Sequence, residues 1–321
     1  MIGTNLLKPH YVFHPTQVAR RVRFAIERPS RERNSRLPWG SVIAYDPRET
    51  VGMMIGRCGV FDIVVCETLT RLTDDGETSI DVGANIGQMS SALASAAGPT
   101  GLVIAFEPHP AVFDQLTRNV RKWADVPTMA RIDLRRVAVS DQEGTATLST
   151  RFFNSNHGSA SLEPTTYAES TTVDAHTVPV QPLDTAIGPG VSIGVMKIDI
   201  EGHELPALSG ATDMLSAGCI RDIVFEERNE PPTVVTRLLE EHGYTILRLA
   251  EGLLGPEVDT IDQRASYRTW RGDDRSLLAT RAPRRATERL GLRGWAIYGA
   301  GPARRFDRRT HAYRKSRSHH T

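Results

Sequence analysis

Cysteine is scarce in this chain. Cys58, Cys66 and Cys219 are the only three in 321 residues, and none sits in a C-x-x-C spacing. An odd, scattered set excludes a disulfide framework and a cysteine zinc site, and it fits the reducing cytoplasm, which is the expected location. Long apolar runs are missing too. Nothing between Met1 and Phe24 resembles a signal peptide, and the apolar stretch from Val51 to Cys66 is broken by Arg57 and Asp62, so no membrane span is expected. Aromatic residues make up only 6%, Gly and Pro are ordinary in number, and no internal repeat is found, which leaves a globular chain and excludes collagen, coiled coil and low complexity.

Charge is balanced overall but not along the chain. The net charge is +1, yet residues 281–321 carry 12 Lys or Arg against Glu288 and Asp307, while the rest carries 27 against 36 acidic residues. A basic tail of this kind suits an anionic partner, but with few aromatics among its cations nucleic acid is disfavoured, and a solvated extension is the expectation. Homo-oligomerisation stays open.

Three parts are expected. Residues 1–40 form an N-terminal accessory segment, with Val18, Val22 and Ala25 at near-helical spacing before a loop near Pro29. Residues 41–280 form one α/β domain, and 281–321 are the basic tail. Within the domain, apolar strand-like runs alternate with helical patterns: strands at Ser79–Val82, Leu102–Phe106 and Ile132–Val139, with helices at Ile86–Ala97 and Ala111–Trp123 between them. Further strands are expected at Val195–Ile200, Ile223–Glu226 and Thr245–Leu249. The segment 154–177 holds nine Ser or Thr, too polar for a core, and reads equally as a tolerated insertion or a lid over substrate.

The run from Thr78 to Ala97 places a buried strand ending in Asp81, then Gly83 and Gly87, then a helix, which is the layout of a nucleotide site. Glycine at these two positions permits a tight turn and close approach to a ligand. Glu107 ends the next strand, where a carboxylate accepts hydrogen bonds from ribose hydroxyls. The dinucleotide fingerprint G-x-G-x-x-G is incomplete here, with Ala84 and Asn85 between the two glycines. Asp81 would repel a pyrophosphate but attract the ammonium and sulfonium of S-adenosylmethionine, so that methyl donor is favoured over NAD.

A second cluster lies in VMKIDIEGHE. Lys197, Asp199 and Glu201 alternate along a strand and so share one side, and strand ends of an open α/β sheet face the ligand cleft. Lys197 with Asp199 also reads as a structural ion pair, Glu204 as a helix-dipole partner, and Glu227 as a solvated acid. His203 reads most simply as a surface histidine, but its strand-to-helix turn keeps it a catalytic candidate. Asp199 is harder to dismiss, because an acid at the end of a buried strand needs a partner or a task.

With these residues in place, the chain resembles the FkbM family of S-adenosylmethionine-dependent methyltransferases. The resemblance rests on IDVGANIG (Ile80–Gly87), AFEP (Ala105–Pro108), Phe113 with Leu116 and Asn119, VAVSDQEG (Val137–Gly144), VQPLD (Val180–Asp184) and KIDIEGHE (Lys197–Glu204), in family order. It implies a Rossmann-like class I methyltransferase fold, α/β with a mostly parallel seven-stranded sheet flanked by helices. It also implies that Asp81, Gly83, Asn85, Gly87 and Glu107 contact the cofactor, with Ser140 or Asp141 near its adenine. Family members are similar to O-methyltransferases acting on hydroxyls of saccharides and polyketides, so a small-molecule or glycan acceptor is expected.

Methyl transfer from a sulfonium is an in-line displacement, and positioning dominates it. An alcohol is about as weak an acid as water, whose pKa is about 15.7, so a base or a metal must help remove its proton. Asp199 is the first candidate base, with Lys197 and His203 beside it. Asp199, Glu201 and Glu226 holding Mg²⁺ is the alternative; the metal-free version is preferred. The rival class is a catalytically inactive methyltransferase-like protein that binds an anionic partner through its basic tail.

Overall fold

The computed structural model describes residues 16–151, 160–162, 173–252, 254–261 and 275–298. In chain order its elements are α1 (Thr16–Glu27), β1 (Arg33–Arg36), β2 (Val42–Tyr45), α2 (Thr50–Cys58), α3 (Ile63–Leu72), β3 (Thr78–Val82), α4 (Gln88–Ala97), β4 (Leu102–Phe106), α5 (Pro110–Trp123), β5 (Arg131–Arg135), β6 (Ala138–Val139), β7 (Gly144–Arg151), β8 (Ala160–Ser161) and β9 (Val173–Gln181). They continue with α6 (Leu183–Ile187), β10 (Ile193–Ile198), α7 (Glu204–Ser209), α8 (Thr212–Ser216), β11 (Ile220–Glu226), α9 (Val234–Glu241), β12 (Thr245–Gly252), β13 (Gly255–Thr260), β14 (Ser276–Thr280) and α10 (Pro283–Leu290).

The central strands are buried on both faces, as strands between two helical layers are, even where β3 and β10 carry the polar Ser79, Asp81 and Lys197. All six residues of β10 are buried, as are the last four of β3 and of β4. They lie in one sheet ordered β13-β12-β14-β11-β10-β3-β4-β5. β5, β4, β3, β10 and β11 are parallel, and β14 inserts antiparallel between β11 and β12. This is the expected Rossmann-like class I methyltransferase fold, with β13 added as an eighth strand by a hairpin on β12. Strand order reverses between β3 and β10, so the two βα turns there diverge and leave a crevice. A separate sheet, β6-β9-β7-β8, flanks the core. Residues 154–159 and 163–172, most of the segment read as an insertion or lid, lie outside the described residues.

Two expectations about the ends of the chain change. The N-terminal helix forms, but Val22 is 53% exposed, and the packed side chain is Phe24, whose ring meets Gly56 so closely that a Cβ there would stand 2.4 Å from it. The basic composition after residue 281 does not mean solvated chain over 283–298. Ala286, Leu290, Trp295 and Ile297 are buried, and Trp295 is wholly enclosed. Arg285 and Arg289 donate to Asp74 at 3.0 and 2.6 Å. Arg71 donates to the carbonyls of Arg289, Leu290 and Leu292, while Glu67 accepts the backbone N–H groups of Ala296 and Ile297. The arginines are thus consumed as ion-pair partners of the body. Among the described residues no helix is long and apolar enough to cross a membrane.

Candidate active site

The turn after β3 owes its shape to three residues with positive φ: Gly83 at +78°, Asn85 at +49° and Gly87 at +94°. A Cβ on Gly83 would stand 2.1 Å from the Asp199 carbonyl oxygen, so only glycine lets the chain leaving β10 cross here. Asn85 reaches the left-handed region with its Oδ1 accepting the next backbone N–H, that of Ile86, at 2.7 Å. Gly87 has a different reason from the one read in the sequence. A Cβ there would meet Leu116 Cδ1 at 2.6 Å and the Trp123 ring at 3.1 Å, so this glycine serves the packing of α4 on α5 and does not line the crevice.

Glu107 closes the turn from the next strand. Its Oε2 accepts the Asn85 N–H and its Oε1 the His109 N–H, both at 2.9 Å. Burial pushes its pKa up to about 7 against the pull of these two bonds.

Lys197 and Asp81 are register partners across β10 and β3 and therefore point to the same face. Lys197 Nζ lies 3.4 Å from Asp81 Oδ1 and 3.6 Å from Asp199 Oδ2, and it donates to the Gly83 carbonyl at 2.8 Å. Burial alone would lower the lysine pKa; Asp81 and Asp199 outweigh it, and the ammonium is held above its ordinary value. Asp81 is fully buried, and its second oxygen accepts the Ser90 hydroxyl at 2.6 Å. Lys197 lines the cavity and Asp81 does not. Asp81, expected from the sequence to contact the cofactor, is the buried partner of Lys197 in this structure.

A cavity of about 300 Å³ occupies the crevice, with Gly83, Asn85, Glu107, Lys197, Asp199 and His203 on its wall. Val137, Ala138 and Val139 give it an apolar side, and Phe61 with Met89 another. Glu201 also lines it but turns outward to pair with Arg228 at 2.6 Å. Ser140 and Asp141 lie behind the wall. Ser140 Oγ stands 2.8 Å from His203 Nε2 and 3.1 Å from Asp141 Oδ1, so the pair orients the histidine. Glu204 Oε1 accepts the N–H groups of Ile200 and Gly202, which ties the helix start to the loop that leaves β10. Among the described residues no group of three His, Cys, Asp or Glu side chains is placed to hold a metal ion, so the Mg²⁺ alternative finds no ligand set there.

A second cavity of about 320 Å³ adjoins the first and shares Phe61, Met89, Lys197, Asp199 and Glu226 with it. Burial, with Asp199 and Glu201 nearby, raises Glu226 to about 7. Its other walls include Asp62, Glu251 and Arg275, which sequence reading missed. Asp62 carried a signal, since Asp before an apolar helical run is an N-cap, and its carboxylate does accept the Val65 N–H. Glu251 and Arg275 carried none, because only the pairing of β12 and β11 with β14 brings them here.

The methyltransferase FkbM domain model matches residues 81–246. The chain is 28% identical over 186 residues to the hexuronic acid methyltransferase AglP of Haloferax volcanii, covering 55% of this chain and 67% of that protein. Among solved structures it is similar to the methyltransferase FkbM of Methylobacillus flagellatus, with a TM-score of 0.40 and 18% identity over 64% of this chain and 43% of that one. It thus spans less than half the length of the Methylobacillus protein. A SAM-dependent O-methyltransferase of Thermotoga maritima gives a TM-score of 0.38 and 14% identity, covering 69% of this chain and 65% of that one. The chain belongs to the FkbM family of methyltransferases, and its methyl donor is S-adenosylmethionine.

Proposed function

We propose that this protein methylates a hydroxyl group of a saccharide, with Asp199 accepting the hydroxyl proton. One observation carries the reading. The Asp199 side chain is 39% exposed, lies on the wall common to both cavities, and stands 3.6 Å from the buried Lys197 ammonium. A carboxylate so placed faces the cavities on one side and a fixed cation on the other.

The first cavity fits the methyl donor. Its wall has no side chain at Gly83, an acceptor carboxylate at Glu107 for hydroxyl donors, and an apolar flank at Val137–Val139 suited to a flat ring. Gly83, Asn85 and Glu107 are the proposed contacts. Asp81 and Gly87 act from behind, the first by fixing Lys197 and the second by seating α4. Ser140 and Asp141 act through His203, which they orient toward the cavity. When bound, S-adenosylmethionine supplies an electrophilic methyl group. The chain must hold the acceptor oxygen in line with that group and take its proton. The Lys197 ammonium, 3.6 Å from Asp199 Oδ2, is the fixed cation beside the proposed base. Similarity to a protein named for hexuronic acid supports a sugar acceptor.

The test is Asp199→Asn assayed against a panel of hydroxylated sugars with labelled methyl donor, with and without a chelator. Donor affinity should stay within about twofold while transfer falls roughly 10²- to 10⁴-fold, the usual worth of a positioned base. Full turnover by the variant would remove Asp199 from the chemistry, and loss of wild-type activity with chelator would restore the metal.

A further inference from the structure

We propose that the second cavity is the acceptor chamber and that it takes an uncharged, polyhydroxylated acceptor in preference to a carboxylated sugar. This rests on the saccharide reading above and specifies its substrate. The two cavities lie side by side along the carboxyl-terminal edge of the parallel strands, the first over β3, β4 and β10, the second over β10, β11 and β12. Their common wall contains Asp199 and Glu226, so a molecule in each would meet at the proposed base. Transfer between two bound molecules needs such a junction.

The chemistry of the second wall selects what enters. Among the described residues four carboxylates line it, Asp62, Asp199, Glu226 and Glu251, against two cations, Lys197 and Arg275. Lys197 is already engaged by Asp81 at 3.4 Å and by the Gly83 carbonyl at 2.8 Å, and Arg275 is an exposed residue at the edge of β14. Ionised carboxylates only accept hydrogen bonds, so they recognise donors, and sugar hydroxyls are donors. A further carboxylate inside this wall would meet like charge in a partly desolvated space. The same wall also carries apolar side chains, Val60, Ile63, Val224 and Leu249, which offer a surface for the C–H side of a pyranose ring. Asp62 is held rigidly, with φ at +44° and its Oδ1 accepting the Val65 N–H at 3.0 Å, which leaves the other oxygen for a ligand. The rise of Asp62 to about 6 and of Glu226 to about 7 fits the same crowding of burial and negative charge.

The experiment uses the whole chain, labelled S-adenosylmethionine, and matched methyl glycosides of glucose and glucuronate, galactose and galacturonate, and mannose and mannuronate. Within the preferred pair, kcat/KM for the neutral sugar should exceed that for the uronate by at least tenfold. Glu251→Gln, or Asp62→Asn if that variant does not fold, should narrow the gap at least threefold. Ser276→Phe, which fills the second cavity, should abolish sugar methylation with donor affinity unchanged. Preference for a uronate, or a gap unmoved by the charge-removing variants, overturns this inference and leaves saccharide O-methylation standing. Methylation of amine probes and of no sugar overturns both.

Discussion

Lys197 and Asp81 meet at 3.4 Å across β10 and β3, and both side chains are at most 5% exposed. Charge at this depth is tolerable only in company. Lys197→Met should therefore cost about 3–5 kcal/mol of stability by leaving Asp81 buried without its counter-ion. Lys197→Met combined with Asp81→Asn should recover most of that loss. Denaturant unfolding of the two single variants and the double variant checks this, and additive losses would contradict the pairing.

Glu107 makes donor binding depend on pH. Its ordinary value is 4.5 and burial raises it to about 7 in the folded protein. The empty protein therefore holds a proton between these values that the unfolded chain has released. That contribution to stability is complete below 4.5 and is lost as the pH rises through about 7. S-adenosylmethionine brings positive charge and ribose hydroxyls, which favour the ionised carboxylate, so binding should expel the proton. Affinity should rise by up to roughly tenfold per pH unit below 7 and level off above it. Calorimetric titrations from pH 6 to 8 test this, and Glu107→Gln should flatten the profile.

The C-terminal segment should prove structural. Ending the chain at Thr280 removes the fully buried Trp295 and strips Glu67 and Arg71 of their partners between 289 and 297. Trp295→Ala alone should cost about 3–5 kcal/mol. Thermal melts of both variants give the answer; an unchanged melting temperature would mean that the segment contributes nothing.

Much of the sheet was legible because its signals are local. Strand β4 is an unbroken apolar run and β3 carries Ile80 and Val82 just before the glycine turn, each next to a helix with helical periodicity, and the placement of Gly83 and Glu107 follows from their spacing. Charge was the misleading signal. The arginines of α10 read as a solvated tail because composition does not reveal Asp74 and Asp222, which lie far away in sequence and bind Arg285 at 3.0 Å each. The pairing of Asp81 with Lys197 was hidden because it depends on a strand register joining residues 116 positions apart. Glu251 and Arg275 were silent for the same reason.

Gly83 is the glycine on which the site geometry depends. Gly83→Ala forces a Cβ toward the Asp199 carbonyl oxygen, to 2.1 Å, at a φ of +78°. The strain should cost roughly 1–3 kcal/mol and displace Asp199. Donor affinity and methyl transfer should both fall at least tenfold, and an alanine variant with wild-type kinetics would show that the crossing is not tight.

The most direct test is a pair of calorimetric titrations of the purified chain, one with S-adenosylmethionine and one with NAD. S-adenosylmethionine should bind in the micromolar range, at least tenfold more weakly to Glu107→Ala, and NAD should not bind. Binding of NAD by folded protein that ignores S-adenosylmethionine would contradict this.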